Sequence, residues 1–146
     1  MTATTDTSRS TPWHFWVVVV IAVLWNGFGG YDYTMSHLQG ETYYRQMHMS
    51  DAQIAYMRTY PVWMHAVWAI GVWGSVAGSI LLLLRSRWAF HAFALSLLGT
   101  VGSVLYAAMS SGASGLAGLA MPLVIVAACL FFAWYAWLMT RRGVLR

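Results

Sequence analysis

The chain is 146 residues long, 60% hydrophobic and only 8% charged. Soluble domains carry about 25% charged residues, so a water-covered surface is excluded over most of the molecule and a single lipid-embedded domain is expected. The net charge of +4 comes from eight arginines with no lysine; they lie beside hydrophobic runs, which points to membrane topology and away from nucleic acid. The one cysteine, Cys129, leaves no intrachain disulfide.

Residues 1–12 are rich in Thr and Ser and hold too few apolar side chains to order themselves, so a flexible cytoplasmic tail is expected. The first apolar run, 13–25, is short for a span of about 20 residues. One reading makes it the core of a signal peptide, with the glycines at 27, 29 and 30 in the cleavage region. The stronger one continues the helix through Asn26 and those glycines, giving a span over 13–35. The second span is expected over 62–84, with Pro61 at its first turn, where a missing N–H costs nothing. The third is expected over 88–109 and the fourth over 116–139, with Pro122 near its start. Residues 141–146 read as a basic cytoplasmic tail. The fold class is all-α: an integral membrane four-helix bundle over 13–140, in which each helix satisfies its own backbone polar groups.

The connections differ. Residues 85–87 read as a tight turn and 110–115 as a short flexible loop, whereas 36–60 is long and polar. Within it, Ser50-Asp51-Ala52-Gln53 reads as a capping box opening a short amphipathic helix that ends before Pro61. Ile54 and Met57 would face the bundle or membrane, and Arg58 would face away. Arg9, Arg85, Arg87, Arg141, Arg142 and Arg146 fall on one side. Arg45 and Arg58 fall on the other, partly balanced by Glu41 and Asp51. This bias places both termini in the cytoplasm and the long loop outside. Trp13, Trp16, Trp88, Trp134, Tyr135 and Trp137 form an inner aromatic belt; Tyr31, Tyr33, Tyr60 and Trp63 form an outer one.

Span two carries Gly71, Ser75 and Ser79 on one face and Gly74 and Gly78 on the next. Span three carries Ser96, Gly99, Gly102 and Ser103. Small faces let helices approach closely in lipid, for packing within the bundle or for docking a partner.

Polar residues at membrane depth are candidates for function. Asn26 and Asp32 on span one, His65 on span two and Tyr106 on span three could converge in the outer half, roofed by Arg45 or Arg58. That cluster reads either as a hydrogen-bond network fixing helix order, with Asp32 paired to an arginine, or as a ligand or proton site. Met35, His37, Met47, His48 and Met49 supply thioether and imidazole, which suit copper, though without a recognised spacing. His14 and His91, near the inner face, could oppose each other as haem ligands. No nucleotide loop, nucleophile triad or metalloprotease helix occurs, so an enzyme is not expected.

Three stretches, WNGFGGYDYTM (25–35), YPVWMHAVWAIGVWGSVAGSILLLLRSRWA (60–89) and Leu95-Ser96, together resemble a family of small bacterial four-helix inner-membrane proteins, DoxX-like or loosely labelled sugar transporters. The pattern covers most of the chain from the first span to the third. The resemblance implies the fold and a bacterial inner-membrane location. It brings no catalytic residue, and the Met and His residues of the outer loop stand outside it.

The leading functional expectation is a non-enzymatic accessory or assembly subunit that packs through its glycine faces against a larger membrane complex or another copy of itself. The alternatives are a small-solute or proton-linked carrier using the outer polar pocket, and a redox protein holding haem, copper or quinone. The sequence indicates no particular cofactor.

Overall fold

The computed structural model describes residues 11–110 and 120–146. These form α1 (Trp13–Gln39), α2 (Glu41–Gln46), α3 (Asp51–Arg58), α4 (Val62–Leu83), α5 (Trp88–Ser110) and α6 (Ala120–Arg141), with no strand among the described residues. The all-α four-helix bundle expected from the sequence is present: α1, α4, α5 and α6 are each long and apolar enough to cross a membrane. The first ten residues of the expected tail lie outside the described residues, as do Leu116 and the three residues after it, where the fourth span was expected to begin. Below, the outer end is the one carrying α2 and α3, and the inner end is the one carrying the turn between α4 and α5.

α1 is 27 residues long, about 40 Å at 1.5 Å per residue. It runs through its glycines without a break and ends four residues beyond the expected Met35. Gly40 stops it with φ of 55°, and its N–H returns to the Ser36 carbonyl at 3.1 Å. Only glycine reaches that conformation without a Cβ clash. The chain then enters α2 at once, a helix the sequence reading does not include. α3 begins with the expected capping box. The Gln53 N–H donates to Ser50 Oγ at 3.3 Å, and the Ser50 N–H donates to Gln53 Oε1 at 2.8 Å. Ile54 is buried and Arg58 exposed.

The long helices pack in chain order, α1 on α4, α4 on α5 and α5 on α6. The α4–α5 seam is the closest. A Cβ added at Gly99 would lie 2.7 Å from the Gly71 nitrogen, at Gly78 2.8 Å from the Phe93 ring, and at Gly74 3.1 Å from Ser96 Cβ. Gly102 is looser, with Val67 at 3.4 Å. Ser96 Oγ donates to the Gly71 carbonyl across the seam. Nearer the inner end α4 also meets α1: the Ser79 hydroxyl lies 3.1 Å from the Ala22 carbonyl. The small residues of α4 are thus divided, Gly71, Gly74 and Gly78 facing α5 and Ser79 facing α1.

The inner end is closed. Phe15, Val19 and Ala22 of α1 join Leu82, Phe93, Phe132, Ala136 and Met139 in one buried cluster. Residues after α6 fold back into it, burying Val144 and Leu145. The Arg146 N–H donates to the Arg85 carbonyl at 2.8 Å, and the Arg87 N–H to the Arg146 carbonyl at 2.9 Å. The sequence reading sees only a basic tail here. The adjacent apolar pair Val144-Leu145 is the signal that it packs.

Candidate functional site

The interior faces of the four helices change character from the inner end to the outer. On α1 the inward series runs Phe15, Val19, Ala22, Asn26. On α4 it runs Leu82, Ser79, Ser75, Gly71, and on α5 Phe93, Ser96, Thr100. Large apolar side chains give way to small, mostly polar ones at each step. The space they fail to fill is a cavity of about 510 Å³ between the outer halves of the helices. A cavity of that size suits a small organic molecule. Its walls are largely aromatic and aliphatic, including Trp25, Phe28, Trp68, Val72, Val104 and Ile125, with Cys129 on the α6 side. Met47, Tyr56, Met57 and Tyr60, from the segment between α1 and α4, form its roof. Gly29 also lines it, and a Cβ there would meet nothing within 4 Å.

A few polar groups converge on this apolar space. Ser75 Oγ donates to the Val72 carbonyl at 2.8 Å, Thr100 Oγ1 to the Ser96 carbonyl at 2.9 Å and Ser103 Oγ to the Gly99 carbonyl at 3.1 Å. Asp32 stands on the α1 side and accepts the Tyr43 hydroxyl at 2.9 Å. Burial, and then the bond to Asp32, push the Tyr43 phenol up to about 12. Tyr56 differs from these: its hydroxyl is buried and has no hydrogen-bond partner. Burial, with lesser contributions from Tyr60 and Tyr106, pushes that phenol up to about 12, so it stays protonated at neutral pH. A buried hydroxyl without a partner costs about 1–3 kcal/mol, and one lining a cavity is placed to bond an occupant.

The outer polar cluster read from the sequence is divided by the structure. Asn26 is deep in the bundle, where its Nδ2 donates to Ser79 Oγ at 2.9 Å. Asn26 and Asp32 both line the cavity. His65 and Tyr106 instead belong to a belt of rings at the outer end. Tyr60 joins them, with centroids 5.5 Å from His65 and 5.7 Å from Tyr106, and His37 lies 5.2 Å from His65. Arg45 and Arg58 form no roof. Both bond Glu41, at 2.8 Å from Arg45 Nη2, and Arg45 also reaches Asp51 at 3.4 Å. The reason is local: Glu41 is one helical turn before Arg45 on α2, and α3 brings Arg58 to its other oxygen. These two bonds hold the Glu41 carboxyl below its ordinary value. The expected pairing of Asp32 with an arginine is replaced by the bond from Tyr43.

The sequence reading assigns no ligand role to Thr100, Ser103, Cys129, Tyr56 or Tyr60, and treats Ser75 as a packing residue. The available signal was the shrinking of side chains along each interior face, which is visible only once those faces are known.

The Met and His residues of the outer segment are dispersed. His37 Nδ1 donates to the Tyr33 carbonyl at 2.9 Å, Met47 lines the cavity roof, and His48 is exposed with φ of 58°. Among the described residues no three His, Cys, Asp or Glu side chains are grouped to hold a metal ion. His14 and His91 do not face each other. His14 Nδ1 lies 2.8 Å from the Tyr135 hydroxyl, because the inner end of α1 docks against α6, while His91 is exposed beside Trp88. The arrangement defines a multi-pass four-helix membrane bundle with one hollow end. No family model, curated protein or solved structure matches the chain.

Proposed function

We propose that this chain is a membrane-embedded binding protein that holds a small amphipathic molecule in the outer half of its bundle. The reading places it in a bacterial inner membrane with both termini cytoplasmic, a location supported by the arginine bias and by the resemblance to DoxX-like proteins. The observation that carries it is the 510 Å³ cavity with apolar walls and a buried Tyr56 hydroxyl lacking a partner. It is the small-solute alternative, sharpened in chemistry: the walls suit a molecule with a large apolar part and a small polar one. No residue has a catalytic role in it. The leading expectation from the sequence, an accessory subunit docked on a larger complex, drew on the glycine faces of α4, where Gly71, Gly74 and Gly78 pack against α5 and Ser79 against α1.

A photoreactive alkyl alcohol, added to the protein in mild detergent, tests the reading. It is expected to label peptides covering 25–32 and 100–104 in a saturable way. Ser103→Phe, which puts a ring into the cavity, should abolish that labelling and leave labelling around the exposed Leu130 and Trp134 unchanged. Equal labelling of the cavity peptides in both proteins would sink the reading.

A further inference from the structure

The sign of charge that the cavity accepts can be read from its walls. Asp32 is the only charged side chain among the described lining residues. The segment 111–119, outside the described residues, contains no ionisable side chain and adds no charge. The two arginines of the outer segment, Arg45 and Arg58, are bound to its own carboxylates, Arg45 to Glu41 and Asp51 and Arg58 to Glu41. One Asp32 oxygen accepts the Tyr43 hydroxyl, which is a neutral donor and leaves the carboxylate charge uncompensated.

The neutral polar groups point the same way. Ser75, Thr100 and Ser103 each donate their only hydroxyl proton to a backbone carbonyl three or four residues back. What remains on those oxygens is lone pairs. A hydroxyl holds one proton and two acceptor sites, so these side chains can accept from an occupant and cannot donate to it. The Tyr56 hydroxyl is the one partnerless donor in the roof. Around them stand the rings of Trp25, Phe28, Trp68, Tyr56 and Tyr60. Aromatic faces attract cations through the negative potential above the ring. An anion in this space would be repelled by the Asp32 carboxylate and would meet lone pairs at Ser75, Thr100 and Ser103, with the neutral Tyr56 hydroxyl and the Asn26 amide as donors and no cationic side chain among the described lining residues. A neutral occupant would add no positive charge to balance Asp32, whose hydrogen bond from Tyr43 is a neutral one.

Resting on the binding reading above, we propose that the occupant is a lipophilic organic cation, its positive charge set against the Asp32 carboxylate and its apolar groups against the surrounding rings. Tetraphenylphosphonium and tetraphenylborate test this directly, being alike in shape and opposite in charge. Purified protein in mild detergent, dialysed in separate experiments against labelled tetraphenylphosphonium and labelled tetraphenylborate, should bind the first saturably and should not bind the second. Asp32→Asn, which keeps an acceptor for Tyr43, should weaken binding about tenfold or more, a loss of about 1.4 kcal/mol. Asp32→Glu should retain binding. The comparison of the two ions uses the unaltered protein, so it stands even if a variant fails to fold. Saturable binding of tetraphenylborate as tight as that of tetraphenylphosphonium would overturn the charge selection and leave amphiphile binding intact. So would undiminished binding by a folded Asp32→Asn protein. If neither ion binds while the alkyl alcohol still labels the cavity, the cation proposal alone falls. If no probe reaches the cavity, both readings fall.

Discussion

The same four helices build both ends of the bundle interior, but they fill one end and leave the other hollow. At the inner end Phe15, Leu82, Phe93, Phe132 and Met139 are all buried in one cluster, sealed by Val144 and Leu145. At the outer end the corresponding positions are Asn26, Ser75, Thr100 and Cys129, and the space between them stays open. The helix axes do not cause the difference alone, since the α4–α5 seam is tight at both Gly78 and Gly99. Side-chain volume does. In lipid no hydrophobic force drives helices together, and dispersion contacts between packed side chains hold the bundle. The filled inner end therefore anchors the fold, and the outer end is left open.

Substitutions can break this comparison. The largest effect is expected at the inner end. Phe93 is fully buried and stacks on Phe132 with centroids 5.6 Å apart. Phe93→Ala should lower stability by about 3–5 kcal/mol, measured by denaturant titration in mixed micelles. Val104→Ala, which removes atoms already facing open space, should cost less than about 1 kcal/mol. Equal losses at the two sites would mean that the outer end is packed as densely as the inner one.

A smaller and more pointed contrast comes from one chemical change at two glycines. At Gly99 an added methyl meets the Gly71 backbone at 2.7 Å, which cannot swing aside. Gly99→Ala should cost about 1–3 kcal/mol through separation of α4 and α5. At Gly29 the added methyl meets nothing within 4 Å and points into the hollow end. Gly29→Ala should be neutral or stabilise α1 by up to about 1 kcal/mol. Opposite signs in the same denaturation assay are the expected result; destabilisation at both would show that the cavity does not extend to Gly29.

The fold was largely legible in the sequence, because hydrophobic length, a capping box and flanking arginines are local signals. α3 begins where Ser50 and Gln53 place it. Two departures remain, and only the second is non-local. α1 outruns its apolar stretch to Gln39, since nothing breaks it before Gly40. The segment after α6 is fixed by backbone pairing with the distant turn at Arg85 and Arg87. The candidate site was only half legible. Asn26 and Asp32 stood out as polar residues in an apolar run, and both line the cavity. Ser75 was read as a packing residue, and Thr100 was not singled out. A small residue facing a neighbouring helix and one facing a void look alike in sequence. The arginines were misplaced because Glu41, four residues before Arg45, was not weighed as a partner for both.

The smallest effect expected is local to the outer end and sharpens the same contrast through pH. Tyr43 and Tyr56 have phenols pushed from 10.0 up to about 12 by burial, with Asp32 adding to the first. A raised value means that the folded state holds the phenolic proton more tightly than the unfolded chain does. The resulting stability is complete below pH 10.0 and is lost as pH rises through about 12. Alkali should therefore release α2 and α3 from the cavity roof while the inner end keeps its packing. Phenolate absorbance, followed across that window, is expected to show a late-titrating group. Tyr43→Phe and Tyr56→Phe should each remove one phenol from it. If either variant instead loses a phenol titrating near its ordinary value, that side chain is not enclosed by the outer end as described, and the roof over the cavity is looser than the filled inner end by more than its side-chain volumes require.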